Sequence, residues 1–214
     1  RATDRRAHDR ADAQRAHDEL GIQTLVDLRG EMEISFSGTG LLHERGLVRH
    51  HFPLSSKVDT ATSAMASGDR SPDAMVQHYI EILEGASDLV VSAVEEIAAD
   101  DALPAVFFCA AGKDRTGVLS AVVLGAVDVK DEHIVTDYAL TAETVDLVIE
   151  RFASSPNAPA LYRDNPPSYF APVGETMKRV VDEVKSRYGS FARYLIAKGA
   201  DETKLERLRH SLVG

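Results

Sequence analysis

Ten consecutive residues, Phe108-Cys109-Ala110-Ala111-Gly112-Lys113-Asp114-Arg115-Thr116-Gly117, hold the chain's single cysteine and an arginine six positions after it. An apolar run, 103–108, precedes them, and a mostly apolar stretch, 116–129, follows. A strand, a tight loop and a helix beginning near Arg115 would set successive backbone N–H groups of Ala110, Ala111, Gly112, Lys113, Asp114 and Arg115 around one point. With the positive end of the helix they would make an anion site. Gly112 supplies the dihedral freedom such a loop needs. Arg115 can hold two oxygens of a phosphate in its planar fork, which a lysine cannot imitate. Cys109 would lie at the bottom of the cup, where amides, arginine and helix end all favour its thiolate.

The chemistry that follows is nucleophilic displacement at phosphorus. Cys109 attacks in line with the leaving oxygen, and water then hydrolyses the phosphocysteine. Arg115 and the loop amides stabilise the equatorial oxygens. Thr116 is placed to donate its hydroxyl to the cysteine sulfur. Lys113 adds a second cation at the rim, suited to strongly anionic substrates. The loop supplies the positive charge itself, so no metal or other cofactor is expected. The competing reading is a buried structural cysteine with Lys113-Asp114-Arg115 as a solvated turn. A Walker-type nucleotide loop is disfavoured, because Gly112-Lys113 is followed by aspartate and no glycine stands five residues before Gly112.

Elements that could position such a loop are legible along the chain. Residues 10–20 read as a charged surface helix stopped by Gly21, and 22–29 as a buried strand with polar residues at its exit. A second strand is expected at 47–54. Residues 55–72 are poor in large apolar groups and read as a surface loop or lid. Met75, Tyr79, Ile82 and Leu83 share one face of a helix, and Val90, Ala93, Val94 and Ile97 continue the pattern after Gly85. Residues 55–99 thus form a possible lid and helical insertion. Helices are expected again at 131–139 and 141–152. A connection with five prolines follows at 153–172, and three more helices at 175–188, 190–198 and 201–212. Few short strands among many helices indicate an α/β fold, a central, mostly parallel sheet flanked by helices, in a single domain spanning 1–214.

Composition limits the partners. The formal net charge is -10, which disfavours nucleic acid and anionic membrane surfaces. No apolar run reaches the length of a membrane span, and residues 1–17 are too charged for a signal peptide. A lone cysteine forms no intrachain disulfide and no thiolate cluster. It suits a reducing compartment, while a secreted enzyme with one free thiol fits as well; cytoplasmic and secreted locations both stay open. His43 and His133 lack metal-ligand spacing.

The loop resembles that of the protein tyrosine phosphatase superfamily, in the bacterial and fungal branch with a His-Cys-x-x-Gly-Lys-Asp-Arg-Thr-Gly signature. The likeness extends beyond it. Residues 20–29, Leu-Gly-Ile-Gln-Thr-Leu-Val-Asp-Leu-Arg, resemble the family's first strand and its exit, with Glu31 or Glu33 in the place of the acid that follows. His50 and His51 before Phe52-Pro53-Leu54 resemble its His-x-Pro strand, and they are expected to be structural or surface residues. Asp137-Tyr138-Ala139-Leu140-Thr141 and the last helices resemble its later elements, with Asp137 and Tyr138 as packing and supporting residues. The family's Asn-x-Arg-Asp-x-Gly element is absent before residue 20, and an N-terminal segment is expected to be missing. The resemblance implies a phosphatase-like fold with a helical lid or C-terminal helices. It also implies Cys109 as nucleophile, Arg115 as clamp and Lys113 as the lysine associated with broad activity.

The acid that protonates the leaving oxygen has several candidates. Within the resemblance Asp114 takes that role from inside the loop, while Asp59, Asp69 and Asp73 lie in the possible lid. Asp27 is expected to orient Arg115 or another loop donor, or else to form a strand-end ion pair with Arg29 or a turn cap. Tyr162, Tyr169 and Phe170 are candidate pocket walls. The substrates implied are phosphotyrosine proteins, with dual specificity and phosphoinositides as extensions. Phe108 departs from the family: its histidine supports the loop by hydrogen bonding, and phenylalanine cannot donate a bond. That departure keeps a noncatalytic phosphate-binding module in view as the second function.

Overall fold

Strand β1, Thr24–Asp27, is buried at every position and forms the middle of a three-stranded parallel sheet. Strand β2, Val48–His51, flanks it on one side and β3, Ala105–Phe108, on the other. The computed structural model describes residues 11–54, 68–154 and 163–214. The register aligns Asp27 with both His51 and Phe108, so the three strands end level with one another. The chain exits side by side at 28–30, at 52–54 and at 109–113, along the carboxyl edge where parallel sheets collect their ligands. Each strand is shorter than the stretch expected for it from sequence. Pairing persists one residue further through Leu28 N–H to Phe108 O and Phe52 N–H to Asp27 O, each at 2.9 Å.

Residues 11–18 are helical (α1). Two short helices that hydropathy does not signal follow β1: α2, Glu31–Ser37, and α3, Leu41–Glu44. Helix α4, Pro72–Gly85, starts as its sequence prescribes, with Pro72 in the first turn and Ser71 Oγ accepting from Ala74 N–H. Its expected face is buried at Met75, Tyr79, Ile82 and Leu83, as are Val90, Ala93, Val94 and Ile97 of α5, Ser87–Ile97. Both helices belong to the main hydrophobic core. Residues 55–67 of the possible lid lie outside the described residues.

Helix α6, Asp114–Ala126, directly follows the loop and is the central helix, with Val118, Leu119, Ala121 and Val122 almost wholly buried. It packs against α4, α7 (Asp131–Leu140) and α10 (Phe191–Ala197), while α9 (Gly174–Tyr188) packs on α4 and α7. Helix α11, Glu202–Val213, closes the chain against α5. Gly189 ends α9 at φ +85°, a conformation that favours glycine. Helix α8, Val145–Ala153, and a 3-10 turn, Pro167–Phe170, form a second, smaller apolar cluster through Val145, Ile149 and Phe170. The expected α/β architecture is therefore observed, with a small parallel sheet flanked by helices.

Candidate functional site

The residues between β3 and α6 bend continuously from 110 to 113 before the helix begins at Asp114, two residues earlier than the apolar run suggests. Gly112 has φ +69°, and a Cβ there would meet nothing within 4 Å. The position needs glycine for its backbone conformation, not for room. Cys109 is a free cysteine, 8% exposed, at the end of β3. It opens onto a cavity of about 450 Å³ lined also by Ala110, Ala111, Lys113, Asp114 and Arg115. A larger cavity, about 560 Å³, lies between the ends of α6 and α9 and contains none of these residues.

Arg115 is held from α2. Its Nη1 and Nη2 donate to Glu33 Oε2 and Oε1 at 2.5 and 2.7 Å, and Nη1 also reaches Leu28 O at 3.4 Å. Glu33 Oε2 accepts from Gly30 N–H as well, at 2.7 Å, reaching back over the start of its own helix. Burial pushes the Glu33 carboxyl up, but the hydrogen bonds and charge of Arg115 outweigh it and hold the group below the usual carboxylate range. Burial likewise opposes the charge on Arg115, yet Glu33, with Cys109 and Asp114 nearby, holds its proton more tightly than usual.

Asp27 does not orient Arg115. It is fully buried and accepts from Arg29 Nε and Nη2 at 2.9 and 2.7 Å and from Arg49 Nε at 3.0 Å. Phe108 stands beside this group, its ring under the Arg29 guanidinium at 5.2 Å. Lys113 lines the cavity yet is only 8% exposed; its Nζ donates to Phe170 O at 2.9 Å and lies 3.4 Å from Asp114 Oδ1. An unsatisfied ammonium so deep would cost more than an exposed rim position gains, so it turns to the nearest acceptors. Thr116 Oγ1 is buried and has no hydrogen-bond partner among the described residues.

Of the candidate acids, Asp114 lines the cavity. Asp73 is tied to Arg179 at 2.7 Å on the surface, and Asp69 accepts from Ser71 N–H at 2.8 Å beside the start of α4; neither lines the cavity. Asp59 and Tyr162 lie outside the described residues. Phe170 forms part of the wall, with Met32, Leu54, Ile82 and Val145 among the other apolar walls, whereas Tyr169 turns its hydroxyl to Gly68 O. His51 is structural, bonding Arg29 O at 2.7 Å, and His50 pairs with Glu96.

Sequence reasoning misses Arg70 and His78 in the cavity wall and Tyr79 as a partner of Asp114. Tyr79 donates to Asp114 Oδ1 at 2.6 Å and meets Tyr138 OH at 2.7 Å. Its helical spacing reads equally well as plain core, and only the distance to residue 114 distinguishes the two. Among the described residues no group of three His, Cys, Asp or Glu side chains converges as a metal site. No helix among them is long and apolar enough to cross a membrane.

Residues 1–214 match the tyrosine phosphatase family along their whole length. The triple specificity protein phosphatase PtpB of Mycobacterium tuberculosis is 26% identical over 237 aligned positions, covering 91% of this chain and 83% of that protein. A tyrosine-protein phosphatase of Nostoc commune is 31% identical over 75 positions, covering 35% of this chain and 26% of that one. With the parallel sheet, the loop between β3 and α6 and the full-length match together, the chain belongs to the tyrosine phosphatase family, on a branch homologous to bacterial PtpB.

Proposed function

We propose that residues 1–214 act as a single phosphatase domain that hydrolyses phosphate monoesters through a phosphocysteine on Cys109. The observation that carries this reading is the convergence of Cys109, the 110–113 bend and the Glu33-oriented Arg115 in one cavity. In the first step Cys109 Sγ forms a bond to phosphorus as the ester P–O bond breaks, and the leaving oxygen takes a proton from Asp114. In the second, water attacks phosphorus, gives a proton back to Asp114, and the S–P bond breaks to regenerate the thiolate. Arg115 and the loop amides carry the charge of the transferring phosphoryl group in both steps. The unpartnered Thr116 hydroxyl is available to the sulfur once it becomes the leaving group.

Phosphotyrosine in proteins is the first substrate class, because apolar side chains wall much of the cavity above the loop. Dual specificity accords with the relative named for triple specificity, and phosphoinositides are the alternative substrate class. The test is a panel of phosphotyrosine and phosphoserine peptides and phosphoinositide vesicles against the native chain and Cys109→Ser. Loss of turnover in the variant, with substrate still bound and an acid-stable phosphocysteine trapped in the native chain, is expected. Undiminished hydrolysis by Cys109→Ser would sink the mechanism. Phosphate binding without turnover in the native chain would establish the noncatalytic module instead.

A further inference from the structure

Asp114 sits at the first position of α6, yet it is anchored from two other helices. Tyr79, from the middle of α4 and 0% exposed, gives its only proton to Asp114 Oδ1 at 2.6 Å. Its oxygen lies 2.7 Å from Tyr138 OH of α7. Since the Tyr79 proton is committed to the carboxylate, Tyr138 must be the donor of that second bond. The order is therefore Tyr138 to Tyr79 to Asp114. Burial first, then the negative charge of Asp114, raises the Tyr79 phenol well above its ordinary range, and burial raises Tyr138 too. Both rings stay protonated and keep this direction of donation.

The rings meet edge to face at 6.0 Å between centroids. Gly117, one turn into α6, permits this approach, since a Cβ there would lie 2.8 Å from the Tyr138 ring. Lys113 Nζ is a second group beside Oδ1, at 3.4 Å. Oδ1 is thus occupied by Tyr79 and Lys113, whereas Oδ2 accepts no hydrogen bond among the described residues.

We infer that Tyr79, backed by Tyr138, is a positioning residue for proton transfer by Asp114: it fixes Oδ1 and leaves Oδ2 as the oxygen that exchanges the proton. This rests on the assignment of Asp114 as the acid. In the first step the proton leaves Oδ2 for the ester oxygen as its bond to phosphorus breaks. The carboxylate so formed is a stronger acceptor than the neutral acid, and the Tyr79 hydrogen bond tightens as the charge develops. In the second step Oδ2 recovers a proton from the attacking water. Tyr79 touches neither substrate nor phosphorus; its effect passes through Asp114.

The experiment compares Asp114→Asn, Tyr79→Phe, Tyr138→Phe and the double variant Asp114→Asn/Tyr79→Phe on a series of aryl phosphates. The series runs from 2,4-dinitrophenyl phosphate, which needs little protonation, to phenyl phosphate, which needs much. Asp114→Asn should lower kcat/KM for phenyl phosphate by about a hundredfold or more, and much less for the dinitrophenyl ester. Tyr79→Phe should show the same leaving-group ordering with about a tenfold loss on phenyl phosphate, and Tyr138→Phe the same ordering with a smaller loss. The double variant should be no slower than Asp114→Asn alone, because a residue acting through Asp114 has nothing left to act on.

A loss in Tyr79→Phe that is uniform across the series, or that multiplies with Asp114→Asn, would overturn the inference while leaving Asp114 as the acid. A uniform loss in Asp114→Asn would remove the acid assignment itself, and the inference with it. Should Tyr79→Phe not fold, Tyr138→Phe carries the test: the leaving-group ordering supports the inference and a uniform loss overturns it.

Discussion

The guanidinium of Arg29 lies 5.2 Å above the ring of Phe108, the residue before Cys109. The same guanidinium is chelated by the buried carboxylate of Asp27 and donates to Ser37 Oγ at 2.7 Å. At this position the chain uses an aromatic face as the floor for a cation.

Replacing that floor should be felt in stability. Phe108→Leu keeps an apolar side chain and loses the aromatic face, and it should cost about 1–2 kcal/mol in urea unfolding. Phe108→His should be less stable at pH 5.5 than at pH 8, relative to the native chain. An imidazolium beside Arg29 is disfavoured in the fold, so the unfolded chain binds more protons and stability falls as pH drops below about 6.5. A native-minus-variant difference that stays constant with pH would contradict this placement.

Glu33 sets the orientation of Arg115 through two hydrogen bonds. Glu33→Gln keeps the shape and removes the charge, so the fork is freer to turn from the phosphate. A fall of about tenfold in kcat/KM is expected, the equivalent of about 1.4 kcal/mol, with weaker protection of the fold by inorganic phosphate or vanadate. Unchanged kinetics and unchanged oxyanion stabilisation in a thermal melt would reject the role.

Asp27 carries a pH signature. Its burial raises the carboxyl, but hydrogen bonds from Arg29 and Arg49 outweigh this and leave it below its ordinary value. Between that depressed value and the unfolded one near about 3.9, the unfolded chain binds the extra proton, so stability declines as pH falls through this window. Asp27→Asn should remove this part of the acid sensitivity. It should also cost about 3 kcal/mol or more at neutral pH, because Arg29 is then left buried without its counter-charge. Urea midpoints measured at pH 7 and pH 3.5 for both proteins decide it. A variant as stable as the native chain at pH 7 would show that the pair contributes nothing.

Much of the fold can be read from local pattern. Residues 24–27 and 105–108 fall within apolar runs that suggest strands, 48–51 falls within the second strand stretch expected at 47–54, and Met75, Tyr79, Ile82 and Leu83 are spaced for the buried face they occupy. Pro72, Ser71 and Gly189 mark helix ends by chemistry that acts within a few residues. Helices α2 and α3 escape such reading. They are short, mostly exposed and lack a clear apolar stripe, and α2 is held by side-chain bonds to Arg115 and Arg29, residues distant from it or outside any hydropathy pattern. The start of α6 at Asp114 is equally invisible to hydropathy, because the residues of its first turn are polar.

By itself, the sequence determined the loop: Cys109, Gly112 and Arg115 stand at fixed spacing, and flanking apolar runs require a strand before them and a helix after. Those are local constraints, carried by covalent connection and backbone preference. The tertiary structure decided everything that depends on residues distant in sequence. It paired Arg115 with Glu33 and not with Asp27, turned Lys113 inward to Phe170, brought Tyr79 and Tyr138 to Asp114, and laid Arg29 over Phe108. Each is a choice among several chemically suitable partners. The parallel register and the packing of α4, α6 and α7 resolve it, because a buried charge or hydroxyl takes the partner that the fold brings within reach.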